Sequence, residues 1–148
     1  MNETVLTIIL AEDDDGQATL VQRNLERVGI VCNFSRVRNG QEALDLLYEM
    51  SESRDKLAGG RLLLILDVKM PKMDGIELLR HLKRDPSLAI IPVIMLTTTD
   101  DPKEIERCYE LGCNIYVTKP VGYDAFTDAI KRLGEFLRIV RFPHEISN

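Results

Sequence analysis

The sequence predicts an α/β domain built on a doubly wound parallel sheet, and three observations carry that expectation. Five short apolar runs alternate with five stretches of helical periodicity. Parallel neighbours need crossover helices of right-handed sense, so this alternation implies a parallel sheet with helices on both faces. The central run, Leu62–Leu66, is apolar at every position. That suits a strand buried on both faces, although a run this short also fits a buried helical turn. Asp67 ends the run, and Pro71 and Asp74-Gly75 beyond it read as a turn into the next helix. Asp67 therefore belongs at the carboxyl end of a central strand, where open α/β sheets bind their ligands. Taken alone, it could equally be a carboxylate capping a strand end.

The remaining elements follow in chain order. Thr4 to Ala11 is β-branched and apolar, a first buried strand that stops at Glu12-Asp13-Asp14-Asp15. Ala18, Val21, Leu25 and Val28 recur at helical spacing, and Gly29 is placed to cap that helix. Ile30 to Val37 supplies a weaker second strand. Asn39, with Glu42 three residues on, opens a helix through Ala43, Leu46 and Leu47. Met50 to Arg61 is polar and reads as a surface loop at the sheet end opposite Asp67. Asp74 and Glu77 cap a helix carrying Ile76, Leu79 and Leu82. Pro92 introduces a fourth strand, Val93–Leu96, ending at Thr97-Thr98-Thr99. Asp101, Pro102 and Glu104 then make a strong helix start, and that helix ends at Gly112. Ile115 to Thr118 is a short fifth strand, followed by Lys119-Pro120 and a last helix from about Tyr123.

At 148 residues the chain is expected to form one domain, able to bury roughly 70% of its unfolded surface. Its 45% apolar and 29% charged residues are ordinary for a globular protein. A net charge of −5 argues against nucleic acid or an anionic membrane as partner. No apolar run reaches membrane-span length and no basic region leads into a signal-peptide core, so a cytoplasmic location is expected. Cys32, Cys108 and Cys113 lack metal-ligand spacing, and His81 and His144 lack companions; all five read as structural or surface residues in a reducing compartment.

In a doubly wound sheet every strand-to-helix junction opens at one edge. Glu12, Asp13, Asp67, Thr97 and Lys119 fall at such junctions on four different strands. Three carboxylates brought within about 4 Å repel by roughly 4 kcal/mol per pair at an effective dielectric near 20. Lys119 offers one compensating charge, and a hard divalent ion with oxygen ligands, Mg²⁺, offers two more. A hydroxyl at Thr97 would help hold an incoming anion. An oxyanion and Mg²⁺ beside a carboxylate suggest phosphoryl transfer onto that carboxylate.

These pieces resemble the receiver domain of two-component response regulators. The resemblance rests on Glu12-Asp13-Asp14, on Asp67-Val-Lys-Met-Pro-Lys-Met-Asp-Gly75, on Thr97-Thr98 and on Lys119-Pro120, in order and at receiver-like spacing from about Leu6 to Phe136. It implies a flavodoxin-like (βα)5 fold with strand order 2-1-3-4-5 and an extended last helix and tail. It also implies a receiver over residues 1–140, a tail over 141–148 and no separate output domain. Asp67 would be the phosphoacceptor, fed by a sensor histidine kinase, with slow self-dephosphorylation only and no enzyme activity on outside substrates. Asp13 would bind Mg²⁺ directly, Glu12 through water and Lys69 through its backbone carbonyl. Lys119 would pair with a phosphoryl oxygen, and its bond to Pro120 would be cis. Thr97 would hydrogen-bond the phosphoryl group. Tyr116 would move with it as the switch aromatic, or else pack as an ordinary half-buried strand residue.

Leu96-Thr-Thr-Thr-Asp100, Tyr109 to Val121 and the tail toward Phe142-Pro143 resemble the single-domain regulators associated with phytochrome-type kinases. Gly122-Tyr123 replaces an expected capping Asp, implying a looser start to the last helix. A haloacid-dehalogenase-type hydrolase would need a second Asp two residues after the first, where Lys69 stands. A flavodoxin would need a Ser/Thr/Gly-rich phosphate loop in place of Glu12-Asp13-Asp14. An unphosphorylated receiver-like adaptor is the remaining alternative, though no site residue is missing. The apolar residues Phe136, Leu137, Ile139, Val140 and Phe142 are expected to overhang the sheet on a helix from about Tyr123 to Val140, roughly 27 Å long. They would form a homodimer through the last helix and tail, or fold back on their own domain.

Overall fold

In a computed structural model that describes residues 6–52 and 61–140, the strands are β1 (Leu6–Ala11), β2 (Cys32–Val37), β3 (Arg61–Leu66), β4 (Val93–Thr97) and β5 (Ile115–Thr118). Between and after them lie α1 (Asp15–Arg27), α2 (Gly40–Glu52), α3 (Gly75–Arg84), α4 (Pro102–Leu111) and α5 (Tyr123–Leu137). The strands are all parallel, in the order β2-β1-β3-β4-β5. This is the flavodoxin-like arrangement expected from the sequence.

Alternation along the strands divides the core in two. Ile9, Ala11, Leu62, Leu64 and Leu66 face the layer that holds Ala43 and Leu47 of α2, Leu78, Leu79 and Leu82 of α3, and Cys108 of α4. Ile8, Leu10, Leu63 and Ile65 face Ala18, Val21 and Leu25 of α1 and Phe126, Ile130 and Leu133 of α5. Both faces of β3 are covered, which explains a run without a polar residue.

The helix starts obey their local chemistry. The side chains of Asp14, Asn39, Asp74 and Asp101 accept backbone N–H groups of Gln17, Glu42, Glu77 and Lys103 at 2.8–3.0 Å. Gly112, at φ 106, ends α4, its N–H returning to the Cys108 and Tyr109 carbonyls. At α5 the N-cap is Gly122 with no side-chain bond, the looser start that Gly122-Tyr123 implied.

Two expectations require correction. The Lys119–Pro120 bond is trans, as is every peptide bond among the described residues. Trans is intrinsically preferred by about 0.5–1 kcal/mol, and Gly122 at φ 98 helps turn the chain into α5. The last helix stops at Leu137 instead of Val140, where Arg138 N–H bonds Gly134 and Glu135 and its guanidinium donates to the Val28 carbonyl. The overhang is therefore smaller than helical spacing implied. Leu137 is buried and Val140 packs against the α1/α5 layer, whereas Phe136 and Ile139 remain 40% and 78% exposed. Phe142, the tail over 141–148 and the centre of the polar loop, residues 53–60, lie outside the described residues, as do Thr4 and Val5.

Candidate functional site

Strand register builds the site. Ala11 pairs with Leu66 and Val37, Leu66 with Met95, and Thr97 with Thr118, so the residues that follow these strands emerge level at one edge. Backbone bonds carry the ladder one step further. Glu12 N–H donates to the Val37 carbonyl at 3.0 Å, Asp67 N–H to Ala11 at 3.1 Å and Lys119 N–H to Thr97 at 2.7 Å. Three functional side chains are thus fixed on main chain held by neighbouring strands.

Oxygens from Glu12, Asp13 and Asp67 lie within 4.8 Å of one another. Glu12, Asp67 and Lys119 are 2%, 8% and 6% exposed, so their charges meet where water screens them poorly. Lys119 Nζ donates to Glu12 Oε1 at 2.5 Å and to Asp67 Oδ2 at 3.2 Å. Burial raises the Glu12 carboxyl above its ordinary range, against the opposing pull of Lys119. Three acidic side chains against one lysine form a donor set of hard oxygens that fits a divalent cation.

The other expected residues are placed less uniformly. Thr97 is fully buried at the end of β4, and its hydroxyl accepts the Thr99 N–H at 3.5 Å. Lys69 is exposed and shares an open cleft with Asp13, Pro71, Asp74 and Glu104. Tyr116, in β5, donates its hydroxyl to the Thr99 carbonyl at 2.6 Å and packs half-buried against the α2–α4 layer. Burial first, and then the Glu104 carboxylate, push its phenol well above the usual tyrosine range. A Cβ on Gly75 would lie 2.2 Å from the Asp67 carbonyl oxygen, so only glycine lets α3 begin against the Asp67 backbone.

Sequence reasoning missed two neighbours of the acidic loop. Gln17, in the first turn of α1, accepts the remaining Lys119 N–H on Oε1 at 2.5 Å. Arg36 of β2 donates from Nε to the Glu12 carbonyl at 2.7 Å and from Nη1 to Asp15 Oδ1 at 2.7 Å. Arg36, and secondarily Arg38, holds the exposed Asp15 carboxyl below its usual range. A helix N-terminus at the carboxyl edge of the sheet was a usable signal for Gln17. Arg36 offered none, because its role depends on β2 lying beside β1.

Residues 8–131 match the response regulator receiver domain family. The chain belongs to that family. Its similarity extends to solved structures. A response regulator receiver domain from Rhodospirillum rubrum is 41% identical with a TM-score of 0.86, covering 93% of this chain and 97% of that one. The phosphorylated cyanobacterial phytochrome response regulator RcpA is 31% identical, TM-score 0.83, covering 95% and 99%. The Mn²⁺-bound form of response regulator Rcp1 is 30% identical, TM-score 0.81, covering 93% and 98%. Receiver domains of this family are phosphoacceptor regulators, not enzymes acting on outside substrates, and the acidic cluster of this receiver suits that chemistry. No helix among the described residues is long and apolar enough to cross a membrane.

Proposed function

We propose that this receiver takes a phosphoryl group onto Asp67 from the phosphohistidine of a sensor kinase and signals through altered protein contacts. The carrying observation is the place of Asp67. Its strand, β3, lies between β1, which brings Glu12 and Asp13, and β4, which brings Thr97, while Lys119 reaches Asp67 Oδ2 from β5. An Asp67 oxygen lone pair forms the new O–P bond. The P–N bond breaks, its electron pair returns to the imidazole, and the imidazole takes up a proton. Lys119 donates to a phosphoryl oxygen and the Thr97 hydroxyl to another. Asp13 and Asp67 directly, Glu12 through water and Lys69 through its carbonyl are the residues that would hold Mg²⁺, which when bound offsets phosphoryl charge. A phytochrome-type kinase as phosphoryl donor is supported by the RcpA relative, itself a phytochrome response regulator. Incubation of the full chain with acetyl phosphate and Mg²⁺ should add one phosphoryl mass; an unchanged mass would overturn the reading.

Asp13→Asn should weaken Mg²⁺ binding about 100-fold, since it removes a charged oxygen from the exposed side of the cluster. Calorimetric titration checks this, and undiminished affinity would place the metal elsewhere.

Thr97 and Tyr116 form the proposed switch. Tyr116 is tied to the Thr99 carbonyl two residues beyond Thr97, so a Thr97 hydroxyl drawn toward a phosphoryl group moves the backbone that holds the phenol. Thr97→Ala should still accept phosphate yet lose most of the phosphorylation-dependent NMR shifts across α4, β5 and α5. An unchanged shift pattern would refute the coupling.

Phe136 and Ile139 support a homodimer through α5 and the tail, because both large apolar side chains are exposed at the carboxyl end of α5. Sedimentation at micromolar concentration should give a dimer, and Phe136→Asp with Ile139→Asp a monomer. A full chain that sediments as a monomer, with or without a phosphoryl mimic, would end that proposal.

A further inference from the structure

The Lys119 ammonium has three N–H donors and no acceptor, and three acceptors surround it: Glu12 Oε1 at 2.5 Å, Gln17 Oε1 at 2.5 Å and Asp67 Oδ2 at 3.2 Å. It is saturated before any phosphoryl group arrives. To donate to a phosphoryl oxygen it must release one partner, and the three are unequal. Until the new O–P bond forms, Glu12 (2% exposed) and Asp67 (8%) are both buried carboxylates, so giving up either costs more than giving up a neutral partner. Gln17 is neutral and only half-buried, so its amide can turn to water. Its backbone stays put when the side chain leaves, because the Gln17 N–H is held by the N-cap Asp14 Oδ1 at 2.9 Å.

We propose that Gln17 is a positioning residue for Lys119: its amide oxygen holds the third N–H while Asp67 is unmodified and yields that donor to the phosphoryl group. This rests on Asp67 being the phosphoacceptor. Only a hydrogen bond is exchanged, Lys119 Nζ–H···Oε1 of Gln17 for Nζ–H···O–P, and Lys119 keeps its proton. The exchange also releases the Gln17 side chain onto the exposed first turn of α1, so the outer face of that helix differs between the two states.

The test uses the full chain labelled with ¹⁵N, the Gln17 side-chain amide signals being those absent from Gln17→Ala. On adding Mg²⁺ and beryllofluoride, a phosphoryl mimic, the Gln17 side-chain amide should move together with the Asp67 backbone amide. A Gln17 signal that stays fixed while Asp67 moves overturns the proposal and leaves the phosphoacceptor reading standing. If neither moves, the phosphoacceptor reading fails and the proposal falls with it. Rates supply a second arm, with acetyl phosphate at saturating Mg²⁺. Gln17→Glu, which grips Lys119 with a charge, should accept phosphoryl about tenfold more slowly than Thr19→Glu. That control adds the same charge at an exposed α1 position whose hydroxyl donates to the Asp15 carbonyl. Gln17→Ala should be no slower than the parent. Equal rates for the two glutamate variants, or a slow Gln17→Ala, would overturn the assignment.

Discussion

Asp67→Asn is expected to abolish phosphoryl incorporation while leaving the fold at least as stable as the parent. The two halves have one cause. Asparagine is nearly isosteric, but its amide oxygen is a far poorer nucleophile than a carboxylate, so no acyl phosphate forms. The fold should not suffer, because Glu12, Asp13 and Asp67 offer oxygens within 4.8 Å of one another with one lysine among them. Removing one negative charge relieves repulsion of roughly 3–4 kcal/mol per pair at an effective dielectric near 20, against one lost Lys119 contact. Intact-mass measurement after acetyl phosphate treatment reads the first half, and urea unfolding without divalent ions reads the second. Retention of the label by Asp67→Asn would move the phosphoacceptor to another residue. Loss of several kcal/mol of stability would mean the carboxylate is structural.

Lys119→Met should be the most destabilising single change at the site, by about 3–5 kcal/mol in the absence of divalent cations. Methionine fills much of the volume of the aliphatic stem, so packing is largely kept. What disappears is the ammonium between two buried carboxylates, Glu12 at 2.5 Å and Asp67 at 3.2 Å. The same variant should bind Mg²⁺ more tightly than the parent, because the acidic cluster has lost its internal cation. Added Mg²⁺ should then recover part of the stability by linkage, about 2.7 kcal/mol at a concentration 100 times Kd. Urea midpoints with and without Mg²⁺ test both statements. A midpoint unchanged from the parent without metal would show that Lys119 does not hold the acidic cluster together.

Most of the fold is written locally in this chain. The caps at Asp14, Asn39, Asp74 and Asp101 and the stop at Gly112 act through side chains and dihedrals within a few residues. The apolar run of β3 announces burial on both faces, since no helix-and-sheet layer leaves room for a polar residue there. The end of α5 was less legible. Helical spacing continues to Val140, but the helix stops at Leu137, where a guanidinium more than a hundred positions from its partner, Val28, finds a carbonyl.

The sequence by itself determined which residues stand at the strand ends, and hence that Glu12, Asp13, Asp67, Thr97 and Lys119 share an edge. Strand ends are set by local periodicity, and a parallel sheet admits one such edge. Only the tertiary structure decided who touches whom. Lys119 reaches Glu12 across 107 positions and Gln17 across 102, and Arg36 meets the Glu12 carbonyl because β2 pairs with β1. Those contacts depend on which strands lie side by side and on which side chains meet across the sheet edge, and periodicity within any one segment does not specify either.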